Sequence, residues 1–238
     1  VGYFSAFGFF NCICQVLAEH MNKSRLLLPD LGFQLLPFIP FSYLPTLTLT
    51  IFVAAVVSRT FLREEEAPTM ARRFLLSYAT VLFLRGLCIT MTILPNPDST
   101  CHAELDGIPI PLAALQVMAG LKMTCGDVFF SGHTAIQMSL LNVLLRDSRT
   151  LAPWERTAAA TFAAASIVTI PMTKFHYSID VFCGGIIGWS VPELYRYVIT
   201  RLADRPLADG DGNGVRVATM CARFWRRLES SPKRLLEL

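Results

Sequence analysis

Two imidazoles and one carboxylate stand out where the chain is otherwise apolar: His133 in "CGDVFFSGHT", and His176 with Asp180 in "HYSID", 43 residues further on. A pair of histidines facing one phosphorus can divide phosphoryl transfer between them, one attacking as nucleophile while the other protonates the leaving oxygen. His176 and Asp180 are four residues apart, the spacing of neighbours on one side of a helix. From there Asp180 can bond one ring nitrogen and leave the other free and more basic. That pair taken alone is equally a helix-capping Asp beside an interfacial His, although ionisable groups at a membrane mouth tend to be functional. Ser131 and Gly132, just before His133, can offer backbone N–H groups at a helix start, a natural anion cradle. "SGHT" is a short motif, and "HYSID" at this distance from it gives the phosphoryl reading its weight.

The elements that must hold these groups are read from hydropathy. With 53% hydrophobic and only 16% charged side chains in 238 residues, and a mean hydropathy of +0.47, the composition is that of a membrane protein rather than a soluble domain. Six apolar stretches, near 1–18, 43–62, 74–94, 128–145, 158–172 and 177–199, are candidate spans. The fold expected is all-α, a polytopic membrane protein with six transmembrane helices in one bundle over residues 1–200. Residues 201–238 follow as a basic cytosolic tail, entered through the linker-like "ADRPLADGDGNG". The fifth span is short and Ala-rich, with Pro171 near its end. Because the chain starts at Val1 within an apolar run, its beginning is expected to be a truncation or a processed end, and no signal peptide is legible.

Lys and Arg set the orientation. Arg59, Arg63, Arg72 and Arg73 lie between spans two and three, Arg146, Arg149 and Arg156 between four and five, and more follow span six. The alternate loops 19–42, 95–127 and 173–176 hold only Lys23, Arg25, Lys122 and Lys174. Those loops are therefore assigned to the lumen or exterior, together with His133, His176 and Asp180.

"CGDVFFSGHT" and "HYSIDV" resemble the two catalytic motifs of the sphingomyelin synthase family, within the lipid phosphate phosphatase-like group. "LLLPDLGFQLLP" is similar to that family's Leu-Pro-Asp segment, and "RRFLLSYATVLFLRGLCITMTILPNPDSTC" to its third span and following loop. The resemblance covers about residues 20 to 200. It implies six spans, a triad of His133, His176 and Asp180 on the Golgi lumenal or exoplasmic face, and transfer of a phospho-alcohol from a glycerophospholipid to ceramide with release of diacylglycerol. It also implies that His176 is the nucleophile, that Asp180 orients it, and that His133 serves first as acid and then as base. No cofactor is implied, and no cluster with metal-ligand spacing occurs in the sequence. Ceramide, a glycerophospholipid and the bilayer are the partners expected. Nucleic acid is not, since the net charge is only +3 and orientation accounts for the basic surplus.

Three alternatives remain: a donor carrying ethanolamine or inositol, a lipid phosphate phosphatase, and a non-catalytic lipid sensor or scaffold. The phosphatases resemble this chain in their His motifs but also place an Arg shortly before the second His, where "TIPMTKFHYSID" has only Lys174. A diester donor is therefore favoured. Phe129, Phe130, Phe175 and Tyr177 flank the motifs and lean towards a quaternary ammonium. The substrate-binding set expected is Ser131, Gly132, Arg85, Lys174 and Tyr177. Arg85 lies inside span three, where it must face the bundle interior or snorkel, and a structural or substrate-phosphate role is expected over lipid exposure; Asp127 is expected to cap the fourth helix. Cys101 and Cys125 share a lumenal loop, and their spacing leaves pairing open; Cys12, Cys14, Cys88 and Cys183 are expected to be apolar fillers.

Overall fold

The computed structural model describes residues 2–22, 27–62, 65–98 and 101–204. The expected tail and its linker lie outside them, as do Lys23, Arg25 and Arg63. Among the described residues all regular structure is helical: α1 (Gly2–Met21), α2 (Leu31–Leu35), α3 (Leu44–Phe61), α4 (Ala67–Met91), α5 (Ile110–Met118), α6 (Gly132–Asp147), α7 (Pro153–Met172) and α8 (Ser178–Asp204). Six are long and fall on the six expected stretches. Two of those, α3 and α4, are long and apolar enough to cross a membrane by length and composition alone. α6 has only 16 residues and carries Gln137, Ser139 and Asn142, which it turns inward and buries. The short α2 and α5 were not anticipated; α5 packs against α1 through Ala113, Ala114 and Val16.

Small residues set the closest helix contacts. α6 and α8 meet along Gly184 and Gly188, where an added Cβ would lie 2.6 Å from Ser131 O and 2.5 Å from Ala135 O. Ser139 Oγ donates to Gly188 O across the same seam (2.9 Å). Such small-xxx-small approaches let backbone meet backbone in helix pairs. α1 lies along α4, with Gly86 against Phe10 and Cys14. Cys12 and Cys14 are buried, while Cys88 and Cys183 pack at the edge of the cluster around Tyr78 and Phe130.

The bundle has two chemically distinct ends. At one, Asp147 receives Arg73 (2.7 Å) and Arg196 (3.0 Å), and Glu66 accepts from Ser148 Oγ and the amides of Arg149 and Thr150. At the other end α1, α4 and α7 finish and α3, α6 and α8 begin, so all three triad residues gather there. Cys101 and Cys125 form a disulfide at this second end, which resolves the pairing that spacing left open. Replacing Gly188 by Ala is expected to prise α6 from α8 and lower stability by about 1–3 kcal/mol, read as a drop in thermal midpoint in detergent; an unchanged midpoint would mean the seam is not close-packed.

Candidate active site

The turn before α6 begins with a buried ion pair. Arg85, on α4 and 5% exposed, directs Nη2 to both Asp127 Oδ2 and Asp127 O (2.8 Å each) and Nε to Phe130 O (3.2 Å). It thus faces the interior as expected. Asp127 does not cap α6: its other partners are Gln15 Nε2 (2.6 Å) and Thr124 Oγ1 (2.8 Å), and the cap is Ser131, whose Oγ accepts from Thr134 N–H. Burial alone would raise the Asp127 carboxyl, but the Arg85 guanidinium and the Gln15 amide outweigh it and hold it below the ordinary carboxylate range. Glu19 of α1 completes the brace by accepting the amides of Cys125 (2.5 Å) and Gly126 (2.6 Å).

Helix α6 starts at Gly132, four residues later than expected, because Phe130 takes the left-handed conformation (φ 32°). A bulky residue there is a genuine outlier, the kind of local strain that clusters at functional sites. Gly132 must pass over Arg85, whose Nε would lie 3.2 Å from an added Cβ. The second motif leaves α7 through another left-handed residue, Lys174 (φ 56°). The amides of Lys174 and Phe175 there bond back to Pro171 O (3.1 Å) and Ile170 O (3.0 Å), closing the helix in a Schellman pattern. The two motifs are then joined directly, Ser131 N–H donating to Asp180 O (2.9 Å).

The rings of His133 and His176 face each other with centroids 6.5 Å apart. Nδ1 of His176 lies 3.1 Å from Val128 O and 3.7 Å from Asp180 Oδ2. A carbonyl only accepts, so Nδ1 carries the proton and Nε2 keeps a free lone pair. Asp180 is fully buried. Oδ2 accepts from Tyr177 N–H (3.2 Å) at the start of α8 while it neighbours His176, and Oδ1 has no partner. His133 Nε2 is hydrogen-bonded to Thr46 Oγ1 of α3 (3.1 Å), and its ring meets Phe175 edge-on.

A cavity of about 470 Å³ opens on both imidazoles, with Arg85, Gly132, Tyr78 and Phe175 in its walls. The remaining expected binding residues lie elsewhere. Ser131 is fully buried at the cap, and Tyr177 is 2% exposed with its hydroxyl accepting from Leu28 N–H (3.3 Å). Lys174 lines a neighbouring cavity of about 570 Å³ and sits over the rings of Phe38 (5.1 Å) and Phe33 (6.0 Å). Phe130 is core. Val128, Thr46, Gln15 and Glu19 escaped sequence reading: the first acts through its backbone, and the others reach the site from distant helices.

Residues 124–197 match the family described as PAP2 superfamily C-terminal, a stretch that takes in His133, His176 and Asp180. The chain is 34% identical over 128 residues to a phosphatidylinositol:ceramide inositolphosphotransferase of Leishmania major, covering 52% of this chain and 38% of that protein. Over 114 residues it is 33% identical to a phosphatidylethanolamine:ceramide ethanolaminephosphotransferase of Trypanosoma brucei brucei (46% and 35%). Over 211 residues it is 28% identical to phosphatidylcholine:ceramide cholinephosphotransferase 2 of Caenorhabditis elegans (79% and 62%). The chain thus spans between about a third and two thirds of these relatives' lengths. Residues 124–197 are thus similar to the PAP2 superfamily C-terminal family. The chain's similar proteins are named as ceramide phosphotransferases for inositol, ethanolamine and choline.

Breaking the Arg85–Asp127 pair from one side strands a buried charge, so Arg85→Met is expected to cost about 3–5 kcal/mol and Arg85→Met with Asp127→Leu much less. Thermal midpoints in detergent read both, and equal losses would argue against the pair. Because the Asp127 shift is downward, its contribution is fully present above the unfolded-state value and disappears as pH falls through the lower folded-state value.

Proposed function

We propose that this chain is a membrane phosphotransferase that moves a phospho-alcohol headgroup, phosphocholine favoured, from a glycerophospholipid to the primary hydroxyl of ceramide and releases diacylglycerol. The observation that carries this reading is the pair of imidazoles, 6.5 Å apart across one cavity, with Nδ1 of His176 tied to Val128 O. Nε2 of His176 attacks phosphorus, the bond from phosphorus to the diacylglycerol oxygen breaks, and protonated His133 gives that oxygen its proton. In the second half His133 takes the proton of the ceramide hydroxyl as its oxygen attacks, and the phosphorus–nitrogen bond to His176 breaks. Asp180 is walled off from the cavity and acts on the ring behind it, favouring the positive charge that His176 acquires as a phosphohistidine. The first amides of α6, Gly132 and His133, have no carbonyl ahead of them in the helix and suit the phosphate oxygens.

Several features support a six-helix bundle in the bilayer with the site on the lumenal or exoplasmic face of a Golgi or plasma membrane. Large apolar side chains point outward along the long helices, among them Leu47 and Ile51 of α3, Phe162 and Val168 of α7, and Phe182 and Ile186 of α8. The Arg-rich loops collect at the end opposite the triad, as the excess of basic residues in cytosolic loops would have it. A disulfide beside the site suits an oxidising compartment. The similar proteins are named for inositol, ethanolamine and choline donors alike; the aromatic walls from Tyr78 and Phe175 support a quaternary ammonium here.

The test is transfer by purified protein in liposomes holding fluorescent ceramide and, in separate preparations, phosphatidylcholine, phosphatidylethanolamine, phosphatidylinositol or phosphatidate. A phosphocholine ceramide is expected, and another phospho-alcohol ceramide would reassign the headgroup alone. Phosphate released from phosphatidate with no ceramide product would make the protein a phosphatase. His133→Ala and His176→Ala should each lower transfer by roughly 10²–10⁴-fold or more, with Asp180→Asn the mildest because no reacting atom is lost. A phosphohistidine trapped at His133 rather than His176 would reverse the two roles.

A further inference from the structure

The start of α8 is held by two carboxylates, and only one of them belongs to the triad. Asp180 Oδ2 accepts the amide of Tyr177, while the next amide along, Ser178 N–H, donates to Asp30 Oδ2 (2.8 Å) from the segment between α1 and α3. Asp30 Oδ1 accepts in addition from Ser178 Oγ (2.7 Å) and from the amide of Phe33 (3.2 Å), so one side chain caps α2 and α8 together. Burial works against an ionised Asp30, yet the bonds from Ser178, Phe33 and Gly32 outweigh it and hold its carboxyl below the ordinary range. The surrounding segment is fastened on the same side. Gly32 lies so close that an added Cβ would be 2.0 Å from Ser178 Oγ, Phe33 packs on Tyr177 with centroids 5.7 Å apart, and Ile39 N–H donates to Met172 O (2.9 Å).

Resting on the proposed phosphotransferase reading, we infer that Asp30 is a positioning residue that takes over the capping of Ser178 and so leaves Asp180 free to face His176. Asp180 has one oxygen without a partner and lies within the first turn of α8, where exposed amides seek a carboxylate. Without Asp30, the Ser178 amide loses its acceptor and competes for Asp180, which would swing away from an imidazole already at 3.7 Å. Small misplacements of this kind act on the chemical step far more than on binding. Neither Asp30 nor Ser178 lines the cavity at the imidazoles, so a loss on mutating them would not come from lost substrate contact.

The experiment is a double-mutant cycle on transfer, with kcat and KM measured separately in liposomes of constant composition. Asp30→Ala should lower kcat about tenfold with KM unchanged, and Asp30→Asn, whose single carbonyl oxygen can still accept the Ser178 amide, should restore part of it. In an Asp180→Asn background Asp30→Ala should cost little more, because the path it acts through is already lost. Full additivity of the two changes, or wild-type kcat in Asp30→Ala, would overturn the inference. Ser178→Ala, which removes only the hydroxyl bond, provides a milder variant should Asp30→Ala fold poorly, and is expected to lower kcat less. Hydrogen exchange of the described protein over residues 175–184 reads the same cap without any activity. Faster exchange at the start of α8 in Asp30→Ala is expected, and unchanged exchange would overturn the capping role even if the lipid panel returned no ceramide product.

Discussion

One buried guanidinium underlies the site. Arg85 holds a carboxylate and two backbone carbonyls of the 127–130 turn at once, and in doing so it fixes the backbone that His133 and His176 both depend on. Val128 O lies inside that turn and accepts Nδ1 of His176. Ser131, which caps α6 and places His133 in its first turn, follows directly after it. A charge so placed is tolerated in a bundle because every direction of its fork that is accounted for meets an acceptor. The strained Phe130 is the visible cost of bringing the chain round the guanidinium into the helix.

From that turn outward, rigidity passes through close contacts between small residues. Ser131 N–H reaches Asp180 O only because Gly184 and Gly188 let α8 press against the start of α6. A side chain at either glycine would collide with the backbone of α6 or its cap and push the two motifs apart. α1 supplies the remaining brace, with Gln15 on Asp127 and Glu19 on the following amides, so the first helix belongs to the site although no reacting atom comes from it.

Local signals were legible in the sequence and long-range ones were not. His133 after Ser131 and Gly132 at a helix start, and His176 four residues before Asp180, are patterns carried by one helix start alone. The six long helices were likewise legible from apolar runs. Asp127 was misread as a cap because its true partner, Arg85, is 42 residues away on another helix, and a capping position is the local expectation for such a residue. Lys174 and Tyr177 adjoin the second His in sequence, but the Schellman turn and the buried Tyr177 hydroxyl turn them towards Phe38 and Leu28 instead. α6 lacks the apolarity of a free-standing span because it carries polar side chains that bond to neighbouring helices, Gln137 Nε2 to Ser166 and Asn142 Nδ2 to the Trp189 carbonyl.

Polar groups are partitioned differently between the two ends of the helices. Away from the triad, Arg and carboxylate side chains are tied in networks such as Arg73–Asp147–Arg196, where each charge has a partner. At the triad end, by contrast, polar capacity is left open: Asp180 Oδ1 has no partner, and Nε2 of His176 has a free lone pair in a cavity. An unpaired buried acceptor is costly to stability, and it persists here because the Arg85 turn and the α6–α8 seam hold its position from both sides. His176 is held by the Val128 carbonyl and His133 by the Thr46 hydroxyl, whereas Tyr78 and Phe175 line the cavity beside them.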